Sequence, residues 1–421
     1  MTTPIRIGIV GMGGFAGWHH NAVARLEEQG EARLICTCDP QAAAFAAQQQ
    51  SWHLAQRGVR VFEDYRAMLE ACHRELDLVV VPTPIQLHSE MHAAVTALGI
   101  PVYLEKPPTL DYAELEQMIT NDRRSPKASL VGFNFIIEPQ RRALKQRLLA
   151  GEFGALRAAT LSAFWPRPAE YFQRNNWAGR LLLNDRVVLD SCFGNALAHF
   201  VHNILFWTGA PDLASWGQIA AVRAELYRAH AIEGADTFFT EADTTSGVTM
   251  RFALSHACSG ASTHVETVLC DNATIRYVVG GTIEIRWNDG RVDTMPFENF
   301  DGLVENHRDY YRYLRGESPR PATTLVDCRP FVTLNDLAHI SAGQITMLGA
   351  DRVTAIRDEK EQKEYLAIAG LSSAVERFIA RGEWPSASGW PRPPGDVVTP
   401  ADLPRLYETV RAMAAARPQV P

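Results

Sequence analysis

The stretch IGIVGMGGFAGWHH, residues 7–20, decides the fold. An apolar run of strand type ends in Gly11, and Gly11, Gly13 and Ala16 fit the G-x-G-x-x-G/A spacing at the opening of a helix. Backbone N–H groups on such a loop, with Gly14 and Phe15 between the motif positions, can hold a pyrophosphate at the positive end of the helix dipole. The next strand ends in Asp39, 22 residues after Gly17. A carboxylate there would accept both hydroxyls of an adenosine ribose and repel a 2'-phosphate, so the cofactor is expected to be NAD; NADP stays open because Arg33 or Arg57 could fold near.

Working outward, β-rich runs at Ile5–Val10, Leu34–Cys38, Leu78–Val81, Val102–Leu104 and Leu130–Phe133 alternate with helical stretches. Those stretches are Phe15–Gln29, Gln41–Gln49, Tyr65–Cys72, His88–Leu98 and Tyr112–Thr120. Continuously apolar strands alternating with helices predict an α/β doubly wound parallel sheet of Rossmann type, with a ligand crevice at the carboxyl ends of its strands. Thr83, Pro84 and His88 follow one strand end, and Glu105 and Lys106 follow another. Both loops therefore face the crevice where the nicotinamide half of the cofactor would lie. From Arg157 onward the runs LRAATLSAF, SGVTMRFAL and TIEIRW alternate apolar and polar residues, which predicts a large, mostly antiparallel sheet with one face buried.

At 421 residues and 46% hydrophobic, the chain exceeds what one core usually supports. The expected division is a nucleotide-binding domain over 1–128, a substrate-binding and oligomerisation domain over 129–350 and a helical C-terminal extension over 351–421. In that extension, residues 359–382 read as one helix and Ala401–Ala415 as another, with Thr399 as N-cap and Pro400 at N1. A net charge of −7, from 41 basic and 48 acidic residues without blocks of like charge, argues against a nucleic-acid partner. No apolar run approaches a membrane span, and no separate signal region precedes the first strand, so a cytoplasmic protein is expected. Seven scattered cysteines, with Cys36 and Cys38 inside a strand pattern, give no metal-site spacing, and none is expected.

The chain resembles the Gfo/Idh/MocA oxidoreductases, the family of glucose-fructose oxidoreductase and inositol 2-dehydrogenase. The resemblance rests on Gly11-x-Gly13-x-x-Ala16 with His19, Asp39-Pro40, Thr83-Pro84 with His88, and Glu105-Lys106-Pro107; more loosely, it extends to about residue 345. It implies that Lys106 sits beside the nicotinamide and the substrate hydroxyl as a catalytic or orienting cation. It also implies a C-terminal α/β domain with a large open sheet used for homodimer or homotetramer contacts, and a substrate bound between the two domains. The family usually carries D-x-x-x-H-x-x-D on a helix; aligning His199 puts Asn195 where the first acid is expected and His202 where the second is. Proton transfer then falls on His199 and Lys106, and Asn195 is left to hydrogen-bond the substrate. Asp190 compensates only if the preceding loop folds back.

Before that helix, FWPRPAEYFQRNNWAGR interleaves Trp165, Tyr171 and Trp177 with Arg167 and Arg174. Aromatic faces pack on sugar C–H faces and arginine forks a carboxylate, which suggests a substrate-facing loop for an acidic sugar; packing between domains is the competing reading. The resulting function is NAD(P)-dependent hydride transfer between nicotinamide and a hydroxyl-bearing carbon of a sugar, sugar acid or cyclitol. The alternatives are a redox-neutral, NAD-retaining glycoside cleavage, a non-catalytic NAD-binding regulator, and a reductase of imines or biliverdin-like substrates.

Overall fold

The computed structural model describes residues 3–297, 299–360, 362–392 and 395–416. In chain order the elements begin β1 Ile5–Val10, α1 Ala16–Glu28, β2 Ala32–Cys38, α2 Ala46–Ser51, β3 Arg60–Phe62, α3 Tyr65–Cys72, β4 Leu78–Val81, α4 His88–Thr96, β5 Val102–Leu104, α5 Tyr112–Asp122, β6 Leu130–Val131 and α6 Pro139–Leu149. They continue with β7 Leu156–Phe164, β8 Leu182–Leu183, β9 Arg186–Val187, α7 Ala198–Thr208, β10 Ile219–Arg228, β11 Thr237–Thr244, β12 Thr249–Ser255, β13 Thr263–Cys270, β14 Ala273–Val278, β15 Ile283–Trp287 and β16 Val292–Met295. Last come α8 Gly302–Leu314, α9 Arg329–Ala342, β17 Thr346–Met347, β18 Val353–Asp358, β19 Lys363–Ile368, α10 Leu371–Arg381 and α11 Leu406–Ala415.

The chain forms two units, one of residues 1–109, 113–138 and 299–329, the other of 110–112, 139–298 and 330–421. In the first, the six strands run in the order β3-β2-β1-β4-β5-β6, all pairs parallel. The order reverses direction between β1 and β4. In an open parallel sheet this switch point opens a crevice at the strand carboxyl ends, and the loops after β1 and β4 carry Gly11 and Thr83. Five sheet strands match the sequence reading; β3 is additional, only three residues long and partly exposed, so it left no apolar run to find. The segment 299–329 belongs here because Val304, Tyr310, Tyr311 and Ala322 complete the core formed by Ile7, Ile9, Val23, Leu78, Val80 and Tyr103.

The second unit is built on nine strands in the order β16-β15-β14-β13-β7-β12-β11-β10-β17, antiparallel except at β7–β12 and β10–β17. Alternation sets its two faces. Phe193 packs on Phe238 and Phe252 on one face, while Phe239 of the opposite parity meets Phe378 of α10 and Trp390 on the other. Under α7 a buried Arg141–Glu266 pair is satisfied further by Asn203 and Trp207, which both donate to Glu266. Full hydrogen bonding is what makes such a buried charge tolerable.

Past residue 350 the expectation of one helix over 359–382 is corrected: β18 and β19 pair as an antiparallel hairpin, and only Leu371–Arg381 is helical. Gly370, at φ +75°, breaks the helical reading, and Lys363–Ile368 pair in extended form. The last helix begins later than predicted. Thr399 does form a capping box with Asp402, but Pro404 has no N–H to donate, so Pro400–Arg405 is a 3-10 segment and α11 starts at Leu406. Among the described residues no helix is long and apolar enough to cross a membrane, and no group of three or more His, Cys, Asp or Glu could hold a metal ion.

Candidate active site

Local chemistry in the first unit starts at the β1–α1 turn. Gly11 adopts φ +109°, closed to most side chains, and its N–H donates to the Cys38 carbonyl. Gly14 and Phe15 are exposed at the start of α1, and nothing lies within 4 Å of the point where a Cβ on Gly14 would stand. At the end of β2 the two oxygens of Asp39 accept from Met12 N and Gln41 N, each at 2.9 Å. That holds the carboxylate beside the glycine turn, and each oxygen keeps a further acceptor position. The open helix start and the fixed acid fit the pyrophosphate and adenosine ribose of a dinucleotide. Arg57 is committed elsewhere, to Glu27 and to the Trp52 carbonyl.

The loops after β4 and β5 are joined by His88. Its Nε2 lies 2.8 Å from the Thr83 carbonyl and its Nδ1 3.0 Å from that of Pro107. Both partners only accept, so a neutral ring satisfies one side at a time, while burial lowers the pKa and disfavours the imidazolium. With 1% of its surface exposed, His88 is a staple behind the two motif loops and not a cofactor-facing group, a correction to the sequence reading. Thr83 is half-buried and Pro84 exposed.

Glu105 is buried as well. One oxygen accepts from its neighbour Lys106 N at 3.1 Å, and the other lies 3.1 Å from His19 Nε2. Only a glycine fits alongside: a Cβ on Gly132 would stand 2.7 Å from that second oxygen. From His19 the chain of contacts continues, Nδ1 to His307 Nε2 at 2.9 Å and His307 Nδ1 to the Tyr311 hydroxyl at 3.2 Å. With an ionised carboxylate and two neutral imidazole rings, one proton arrangement satisfies every link. Tyr311 donates to His307, His307 to His19, and His19 to the carboxylate. Burial holds the pKa of His307 well below that of a free imidazole, consistent with a neutral ring in that chain. The Lys106 backbone is thus anchored at the end of β5, its side chain half-buried and its peptide bond to Pro107 cis. His307 and Tyr311 were missed from sequence; they lie i and i+4 on α8, whose sequence alone does not mark it as part of the first unit.

In the second unit the helix expected to carry Asn195 and His199 is interrupted. Cys192–Ala196 form a π-helical turn and α7 begins at Ala198, so Asn195 lies in the turn and half-buried His199 in the first helical turn. The loop before it does fold back. Asp190, 3% exposed, accepts from Asn195 Nδ2 and from Gly179 N, both at 2.7 Å, and lies 3.8 Å from Arg174. The preceding Leu189 has φ +44°, a conformation that costs an L-residue about 1 kcal/mol, and strain of this kind persists where surrounding structure over-determines it. A carboxylate therefore arrives beside the amide at Asn195, five positions earlier in the chain than the family spacing suggests. His202 is corrected: fully buried against Trp216 and Phe331, with burial pushing its pKa down to about 3, it is a core residue and not a substrate ligand.

The aromatic and arginine residues stack in alternation. Arg167 lies 4.0 Å from the Trp165 ring centre and 4.3 Å from that of Tyr171; Arg174 lies 3.7 Å from Tyr171 on its own account and 5.0 Å from Trp177. The β18–β19 hairpin borders this loop through a bridge between Tyr365 and Pro168. Beside it a cleft of about 330 Å³ is lined by Phe172, Gln173, Asn175, Asn176, Arg180 and Glu233, among others, but not by Asn195 or His199.

Residues 5–133 match the family model GFO_IDH_MocA, described as an oxidoreductase family with an NAD-binding Rossmann fold. An inositol 2-dehydrogenase of Leifsonia xyli is 30% identical over 157 residues, 37% of this chain and 44% of the relative. A dTDP-3,4-didehydro-2,6-dideoxy-alpha-D-glucose 3-reductase of Actinomadura kijaniata is 29% identical over 164 residues, 38% of this chain and 45% of the relative. The chain thus spans under half the length of the curated relatives it matches. Among solved structures, the WlbA dehydrogenase of Bordetella pertussis, in complex with NADH and UDP-GlcNAcA, superposes with a TM-score of 0.65 at 23% identity, covering 80% of this chain and 96% of that one. At that identity the likeness is one of fold.

Proposed function

We propose, from the match of residues 5–133 to the Gfo/Idh/MocA oxidoreductase family model, that the chain is an NAD-dependent dehydrogenase acting on the CH–OH group of a sugar, sugar acid or cyclitol. The observation that carries this reading is the anchoring of Lys106. A strand end, the Glu105 carboxylate accepting from the Lys106 amide and three buried hydrogen-bonding side chains behind that carboxylate fix the backbone of one lysine in place.

Bound NAD supplies the acceptor for the hydride leaving the alcohol carbon. The amides of Gly13, Gly14 and Phe15, with the start of α1, would hold the pyrophosphate, and Asp39 the adenosine ribose. Ala16 lets α1 lie close to the turn, while Thr83 and Pro84 border the nicotinamide end. Lys106 is the first unit's cation for orienting a substrate hydroxyl and lowering the barrier to losing its proton; His199 is the second unit's candidate base. Asn195, held by Asp190, directs its remaining hydrogen-bonding capacity to another substrate hydroxyl. Self-association as a homodimer or homotetramer through the second unit's large sheet belongs to the same proposal, and light scattering tests it.

The deciding experiment is an absorbance assay for reduced nicotinamide with NAD+ and then NADP+ against pooled sugars, uronates, cyclitols and glycosides, with products analysed by mass spectrometry. Net cofactor reduction with one pool is the expected result. Glycoside loss without net reduction would replace the proposal with the redox-neutral cycle.

A further inference from the structure

Arg167 and Arg174 flank the same tyrosine ring but differ in their electrostatic surroundings. Arg174 donates to the Tyr171 carbonyl at 2.6 Å and approaches Asp190. Arg167 is held between two rings, its Nε is buried without a hydrogen-bond partner, and among the described residues no carboxylate pairs with it. Burial lowers its pKa from the ordinary arginine value, the direction expected of a desolvated cation lacking a counter-charge.

Its neighbours do not provide one. His256, whose Nδ1 contacts the Trp165 carbonyl at 2.8 Å, is kept neutral by burial, with a pKa near 3. The Tyr171 phenol is pushed above its ordinary pKa, chiefly by burial, and so is uncharged near neutrality. Asp190 is already engaged by Gly179, Asn195 and Arg174. Cation–π contact with Trp165 and Tyr171 offsets part of the desolvation but supplies the guanidinium N–H groups with no hydrogen-bond acceptor. The edge remains, a planar row of N–H donors that matches the oxygens of a carboxylate or phosphate.

We propose that Arg167 is the docking group for an anionic oxygen cluster on the substrate, so that the enzyme acts on an acidic carbohydrate. The substrate assignment rests on the dehydrogenase reading; the anion site itself does not. Two sources share this chemistry, the carboxylate of a sugar acid and the phosphate of a nucleotide sugar.

Calorimetric titration of the full-length protein saturated with NAD+ separates them, using glucuronate, its neutral methyl ester, UDP-glucose and glucose. Glucuronate binding about ten- to a hundredfold tighter than its ester identifies the carboxylate; the same margin of UDP-glucose over glucose identifies the phosphate. Arg167→Met is expected to erase that margin while leaving NAD+ affinity intact, and Arg167→Lys to restore part of it. Should no anion bind more tightly than its neutral counterpart, or should either variant lower Tm and yet keep the wild-type margin, the assignment is overturned. NAD+ reduction by neutral sugars without an anionic margin would remove the docking site and leave the dehydrogenase. An Arg167-dependent margin without reduction of NAD+ by any pool would do the reverse.

Discussion

The turn after β1 and the loop between β7 and α7 bring polar groups into place by opposite means. In the first unit, strand ends do the work: Gly11, Asp39, Thr83 and Lys106 each follow a parallel strand, and sheet geometry alone carries them to one edge. In the second, irregular backbone does it. A left-handed Leu189, a π-helical turn at Cys192–Ala196 and a cation–π stack hold Asp190, Asn195 and Arg167. Regular structure makes position follow from spacing; irregular structure makes it follow from particular contacts. Substitutions should therefore act selectively in the first region and damage function and stability together in the second.

The largest effect is expected at Lys106. Lys106→Ala should lower kcat by about a thousandfold, the range of a lost general acid–base group, while the Kd for NAD+ measured by titration changes by less than about threefold. Turnover close to wild type would remove the role given to the strongest motif residue.

In the second region Asp190→Asn should lower kcat about a hundredfold and also lower Tm, because the new amide cannot accept from both Gly179 and Asn195. Asn195→Asp sharpens the point. It restores an acid at the family position but sets two carboxylates within hydrogen-bonding distance, where both cannot stay ionised. We expect lower stability and no gain in kcat; a gain would mean that Asp190 is not the acid that matters.

This contrast also explains what was legible in the sequence. The parallel sheet and its edge residues could be read because apolar runs, a glycine spacing and Asp39 each carry their own physical signal. His307 and Tyr311 could not, since their meaning depends on α8 joining a unit whose strands end at residue 131. The inward fold of Asp190 was visible only as a condition, because nothing in RVVLDSC announces a left-handed leucine. The hairpin over residues 353–368 was lost to a charged, helix-favouring composition that the strand pairing overrides. His202 failed for a further reason: a histidine on an apolar helix looks the same in sequence whether it faces a ligand or the core.

Asp39→Ala returns to the first region with a smaller and more selective effect. Removing a charged acceptor of ribose hydroxyls should weaken NAD+ about ten- to a hundredfold, with kcat at saturating NAD+ near wild type. Equal damage to Tm and kcat would mean that the carboxylate serves chiefly to tie Met12 and Gln41, and that the first region is no more selective than the second.

The smallest effect tests His202 as core. Its folded pKa of about 3 lies below the roughly 6.5 of an unfolded histidine, so the unfolded chain binds the extra proton. Stability contributed by the neutral ring is then complete above about pH 6.5 and falls as the pH drops toward 3. At pH 5 the loss attributable to this one residue is about 2 kcal/mol relative to pH 7. His202→Phe, which keeps an aromatic ring between Trp216 and Phe331, should shrink the wild-type drop in urea stability between pH 7 and pH 5 by that amount. It should leave kcat near wild type at pH 7. An unchanged pH slope together with a large loss of kcat would return His202 to the substrate, and with it the helix spacing that the sequence suggested.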